Sequence, residues 1–115
     1  MGDGKAALKA AGLPLNPWVP MSDALALKHL GKFGEELGEC SAAVSRCIIQ
    51  GVDEAEPVTG KPNRQWLSEE VADLLANAEL VIDHFGLDRE FIAARANRKM
   101  VHLSAWHAML DGEAP

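Results

Sequence analysis

No apolar run in this sequence approaches the ~18 residues that a membrane-spanning helix requires, which argues against a helical membrane protein. The N-terminus lacks the charged-then-apolar order of a signal peptide. It begins Met1-Gly2, but position 6 is Ala where a myristoylation site has Ser or Thr. Only two cysteines are present, Cys40 and Cys47. They fall on one predicted helix, ~10 Å apart along its axis at ~1.5 Å per residue, too far for a disulfide between them. Free thiols packed as small apolar groups fit a reducing compartment, and a cytoplasmic location is expected. Positive charge is in the minority, with 11 Lys and Arg against 17 Asp and Glu and a net charge of −6. That balance argues against a nucleic-acid polymer or an anionic membrane as partner. It still admits a nucleotide where metal ions invert the local field. No Glu is followed by His three residues later, and His29, His84, His102 and His107 are scattered. A di-iron helical bundle, which needs that spacing, is therefore disfavoured.

Strand alternation and internal repeats are also missing. What remains is a 115-residue chain, 48% apolar and 24% charged, enough for one folded domain. Ser22 or Asp23 caps a helix running to about Gln50, with Leu30, Phe33, Leu37, Val44 and Ile48 at three- and four-residue steps. Gly34, Gly38 and Ala42 form a second stripe of small residues. Gly inside a helix costs roughly 1 kcal/mol against Ala, so the stripe predicts close approach by another backbone, unless the helix is simply weakened. Residues 51–64, broken by Gly51, Pro57, Gly60 and Pro62, read as a long structureless connection, a feature that is often functional. A second helix begins at Asn63 or Ser68 and ends at Phe85, with Val71, Leu74, Leu75, Ala78, Ile82 and Phe85 inward and Gly86 as its stop. Asp88 caps a third helix to about Leu110, with Ile92, Ala96, Met100 and Leu103 inward. Residues 1–21 form a Gly- and Pro-rich arm with at most a short helix over 5–11, and 111–115 a tail. The class is all-α: over 22–110, a helical bundle of three main helices per chain, completed to a four-helix-type arrangement by oligomerisation.

Five carboxylates carry the chemistry. Glu35-Glu36-Leu37-Gly38-Glu39 reads E-E-x-x-E, and Glu70-Val71-Ala72-Asp73 reads E-x-x-D. Residues three and four apart share a helix face, so Glu36 with Glu39, and Glu70 with Asp73, each make a two-carboxylate patch. Both patches flank apolar positions, Leu37 and Cys40 on one helix and Val71 and Leu74 on the other. Acids at core edges are unfavourable unless protons or cations neutralise them. All-oxygen ligation points to a hard ion such as Mg²⁺, which keeps several waters and bridges to substrate phosphates. The plainer alternative is a pair of solvated acidic faces, as on a non-catalytic helical assembly or adaptor module.

The E-E-x-x-E helix, the E-x-x-D helix and the helix that follows, over residues 25–106, resemble the MazG-like all-α nucleoside triphosphate pyrophosphohydrolases. Dimeric dUTPases, dCTP pyrophosphatases and phosphoribosyl-ATP pyrophosphohydrolases belong to the same superfamily. The resemblance implies hydrolysis of a (deoxy)nucleoside triphosphate to the monophosphate and pyrophosphate, Mg²⁺ or Mn²⁺ as cofactor, nucleotide-pool control, and a homodimer or homotetramer. By motif position it makes Glu36, Glu39, Glu70 and Asp73 the metal ligands. Glu35, with Glu36, is then catalytic, holding a further metal or orienting the attacking water. Asn77, one turn after Asp73, would bind substrate or a metal-held water, or be a solvated surface residue. Many relatives carry Lys with Asn four residues later on the third helix; here Lys99 is followed at that spacing by Leu103. Arg95, Lys99 and His102 instead make a basic stripe, either a phosphate clamp or a solvated face. The gap between the acidic motifs is also longer than in many relatives.

With Tyr absent, the broadest aromatic surfaces are Trp18, Trp66 and Trp106. Indoles stack on bases at ~1–3 kcal/mol each, which makes Trp66 and Trp106 candidates for substrate binding; packing in a core or interface is the alternative. Arg64-Gln65-Trp66 and Ala105-Trp106-His107 resemble the phage-type branch of the same family. That resemblance implies a purine deoxynucleotide, dGTP or dATP ahead of the pyrimidines. The rival substrate is a modified nucleotide or another diphosphate.

Overall fold

Asp23 begins the ordered helical region, its Oδ1 accepting from the Leu25 and Ala26 N–H groups at 2.9 and 3.3 Å. In the computed structural model, which describes residues 4–15 and 18–112, four helices follow one another. They are α1 (Gly4–Ala10), α2 (Ala24–Gln50), α3 (Asn63–Phe85) and α4 (Arg89–Leu110), with no strand among the described residues. The fold is all-α, as the periodicity predicts. Gly86 ends α3 in the left-handed conformation, at φ 59°, and the Leu87 N–H returns to the Ile82 carbonyl at 3.0 Å. Asp88 caps α4 through its Oδ1, which accepts from the Phe91 N–H at 3.0 Å.

α2 and α3 pack side by side as an antiparallel hairpin, and Asn63 pins its closed end. This side chain is fully buried. Its Nδ2 donates to Gln50 Oε1 at 3.1 Å and to the Gly51 carbonyl at 3.0 Å. Its backbone N–H donates to the Glu54 carbonyl at 2.8 Å. Gly51, at φ 99° and ψ 144°, turns the chain through a conformation that side chains rarely adopt. Asn63→Ala removes both part-buried side-chain bonds and leaves a cavity at a fully buried position, a loss expected at about 2–3 kcal/mol. Urea denaturation should show it; a change below ~0.5 kcal/mol, the range of ordinary surface substitutions, would contradict the pinning role.

The connection expected to be structureless is ordered. Ala55 and Pro62 form an isolated bridge, and the Glu56 N–H donates to the Lys61 carbonyl at 2.9 Å. The Glu56 carboxylate accepts from the Val58 and Thr59 N–H groups and from Thr59 Oγ1. These donors hold its pKa below the ordinary carboxylate value. The segment's breakers thus shape a tight turn, and its polar side chains supply the bonds that regular structure would have supplied.

The buried faces of α2 and α4 depart from expectation, while that of α3 agrees in part. The α2 surface against α3 runs through Ala26, His29, Phe33, Glu36, Cys40, Ala43 and Cys47, of which Ala26, Glu36 and Ala43 are buried. The more apolar stripe of Leu30, Leu37, Val44 and Ile48 is exposed. On α3, Val81 is buried and Leu74, Ala78, Ile82 and Phe85 are half-buried, whereas Val71 and Leu75 are exposed. α4 forms no packed pair with another helix comparable to α2 and α3. Its expected inward residues Ala96, Met100 and Leu103 are exposed, and only Ile92 is partly covered. A Cβ at Gly34 or Gly38 would meet nothing within 4 Å, so among the described residues no other backbone approaches these two glycines.

The consequence is an extended chain. Its radius of gyration is 20.7 Å, against about 13 Å for a compact domain of this length. Its accessible surface is 9155 Å², about 3,000 Å² more than a folded monomer of this mass presents.

Candidate functional site

The α2–α3 seam brings both acidic motifs together. Oxygens of Glu36, Glu70 and Asp73 all lie within 4.8 Å of one another. Glu36 is buried, Glu70 half-buried and Asp73 exposed, so the group forms a graded mouth leading from solvent into the hairpin. Glu36 Oε2 and Glu70 Oε2 are buried without a hydrogen-bond partner. An unpartnered buried carboxylate oxygen is strongly unfavourable. Three carboxylates so grouped could hold a cation.

Part of the charge is met from within. Lys32, one turn before Glu36, places Nζ 3.3 Å from Glu36 Oε1 and 3.4 Å from Glu35 Oε2. These two carboxylates, Glu36 first, raise the Lys32 pKa. Glu35 stands exposed at the rim. Glu39 is exposed one turn beyond Glu36 and is not among the three converging residues. It shares their field nonetheless: the Glu36 charge, then burial, then the Glu70 charge push its pKa up. Asn77 directs Nδ2 back to the Asp73 carbonyl at 2.9 Å, so that donor is engaged on its own helix.

The remaining candidates lie apart from the acids. Arg95, Lys99 and His102 are exposed on α4, which one chain does not fold onto the seam. Trp106 is half-exposed and meets His107 edge-on at 5.2 Å. Trp66 is partly buried, with the Arg46 guanidinium 5.9 Å from its ring centre. It lines a shallow pocket of about 220 Å³ with Glu56, Thr59 and Lys61. Arg64 is occupied by Asp53 at 2.8 Å. Lys32 lies outside both acidic motifs, and its i−4 spacing from Glu36 is the sequence signal that marks it. The stack of His29 on His84, 4.2 Å apart, also lies outside them and links α2 and α3 beyond Lys32.

The acids give the fold a distinctive pH response. Glu39 holds its proton more tightly folded than unfolded, so the metal-free fold loses stability as pH rises from the ordinary Glu value of 4.5 through the raised one. Asp53, beside Arg64, and Glu69, beside Lys61, have lowered pKa values, and the stability they give is lost as pH falls through those values. Maximum stability in chelator is therefore expected at mildly acidic pH, with Glu39→Gln flattening the decline towards neutrality. Thermal melts across pH check this; a Glu39→Gln profile superimposable on wild type would contradict it.

Comparison with protein-family models, with curated proteins and with solved structures finds no match to this chain. Among the described residues, no helix is long and apolar enough to cross a membrane.

Proposed function

We propose that the chain is a divalent-metal-dependent pyrophosphohydrolase, cleaving a (deoxy)nucleoside triphosphate to its monophosphate and pyrophosphate. The observation that carries this reading is the convergence of Glu36, Glu70 and Asp73, with two buried carboxylate oxygens lacking partners. Those orphaned atoms suit a hard cation, and an all-oxygen donor set suits Mg²⁺, with Mn²⁺ able to substitute. When bound, such an ion lowers the pKa of water and offsets charge on phosphate oxygens. Glu36 would hold it from α2, and Glu70 and Asp73 from α3, while Glu39 adds negative charge beside them. Glu35, exposed next to Glu36, would orient the attacking water.

The substrate class rests on the resemblance of the two motifs to MazG-like enzymes. The Trp66 and Trp106 segments favour a purine deoxynucleotide. Arg95, Lys99 and His102 would clamp phosphates once a second copy brings α4 against the seam. The surplus exposed surface supports such a homodimer or homotetramer, because large obligate interfaces bury 2,000 Å² or more. The unbridged thiols favour a reducing cytoplasm and a role in nucleotide-pool control.

Assaying the eight common nucleoside triphosphates by pyrophosphate release, with Mg²⁺ and with Mn²⁺, tests the reading. The expected result is highest kcat/KM for dGTP or dATP. A preference for dUTP or dCTP would remove the purine assignment alone. Release from none of the eight would leave a hydrolase of another diphosphate or a helical assembly module, which the exposed apolar face of α4 otherwise favours.

A further inference from the structure

Lys32 stands between two unlike environments. On one side its ammonium is the sole cation paired with the buried Glu36 among the described residues. Its contacts of 3.3 and 3.4 Å are long beside the ~2.7–2.9 Å of a well-formed charge-assisted bond. The other ion pairs of the chain, Lys61–Glu69, Arg64–Asp53 and Arg89–Glu79, reach 2.7 to 2.8 Å. The Lys32 side chain is also half-exposed, so solvent and the adjoining pocket are both within its reach. On its other side Lys32 lines an open pocket of about 230 Å³, together with Leu25, Lys28, His29, Asn77 and Leu80. No acidic residue lines that pocket, although it adjoins the most acidic part of the fold.

We propose that Lys32 is the internal counter-cation of the acidic site: a divalent ion displaces its ammonium from Glu36, and the freed ammonium joins Lys28 in the adjoining pocket to bind the phosphate end of the substrate. The inference rests on the metal-holding reading above and assigns a positioning role that reading lacks. A lysine suits it, being a compact charge on a flexible stem. The same charge serves both states of the site. Without metal it offsets the repulsion among Glu35, Glu36 and Glu70; with metal present it is repelled towards an anion. The cluster is thereby kept from binding phosphate before it holds its cation.

The test compares Lys32→Met and Lys28→Met with wild type, using the full chain stripped of metal by chelator. Mg²⁺ alone is titrated first by calorimetry, then inorganic pyrophosphate in saturating Mg²⁺. Removing the competing ammonium should tighten Mg²⁺ binding about tenfold for Lys32→Met, while Lys28→Met, whose charge does not contact the acids, changes it less than about twofold. Both variants should weaken pyrophosphate binding by about tenfold. In chelator Lys32→Met should melt below wild type, and Mg²⁺ should restore it. Lys32→Gln, which keeps a donor for Glu36, provides the same readouts if the Met variant does not fold. Equal Mg²⁺ affinities for the two Met variants, or unweakened pyrophosphate binding by Lys32→Met, would overturn the proposal while leaving the metal site standing. A wild-type chain that takes up no Mg²⁺ would overturn both.

Discussion

If the proposed pyrophosphohydrolase reading holds, Glu36→Gln, Glu70→Gln and Asp73→Asn should each lower kcat/KM for the preferred triphosphate by at least ~100-fold, a loss typical of removing transition-state charge stabilisation. The three side chains converge from two helices, and each substitution keeps shape while removing one negative charge. The same changes should leave the fold intact. Glu36→Gln is the most informative, since Glu36 is buried with Oε2 unpartnered and a neutral amide there relieves repulsion from Glu70. In chelator its melting temperature should equal or exceed that of wild type. Glu39→Gln, outside the converging trio, should lose less activity than the other three. Full activity in any two of the trio would remove the metal assignment; unfolding of all three would mean that the acids are structural.

Light scattering at micromolar concentration should give a mass at or above twice the 12.4 kDa of one chain. Among the described residues, the buried apolar side chains of the isolated chain are Ala26, Ala43 and Val81. With the half-buried Phe33, Leu74, Ile82 and Phe85 they form a thin core to set against the conformational entropy of ordering the chain. Meanwhile Leu30, Leu37, Val44 and Ile48 on α2, and Met100, Leu103 and Trp106 on α4, face solvent. Gly38→Leu separates fold from assembly. Among the described residues, nothing outside its own helical turn lies within 4 Å of a Cβ at that position, and Leu favours helix over Gly by roughly 1 kcal/mol. A folded monomer should accept this change, so a fall in mass with helicity retained would locate the interface on that stripe. A wild-type sample consisting only of 12.4 kDa monomer would contradict the expectation outright.

Much of the backbone was legible because its signals are local. Asp23 and Asp88 cap helices and Gly86 stops one, each through chemistry confined to a few neighbouring residues. The Glu36, Glu70 and Asp73 meeting was legible too, since helical spacing and two adjacent helices suffice to bring those positions together. The buried faces were not. Apolar periodicity marks a surface that must be covered, but it does not say whether the covering comes from the same chain. The Leu30–Ile48 stripe and α4 are the cases that the same chain leaves uncovered. Asn63 escaped notice because its burial depends on a loop whose polar bonds form only in three dimensions. Arg95, Lys99 and His102 share a face of α4, yet spacing along one helix says nothing about which other helix that face meets.

Titrating Mg²⁺ into the metal-stripped chain by calorimetry, beside Glu36→Gln and Asp73→Asn, tests the central claim most directly. The account predicts saturable binding to wild type, a matching rise in melting temperature, and loss of both in the two variants. Wild type that binds no Mg²⁺ or Mn²⁺, or variants that bind as tightly as wild type, would contradict it.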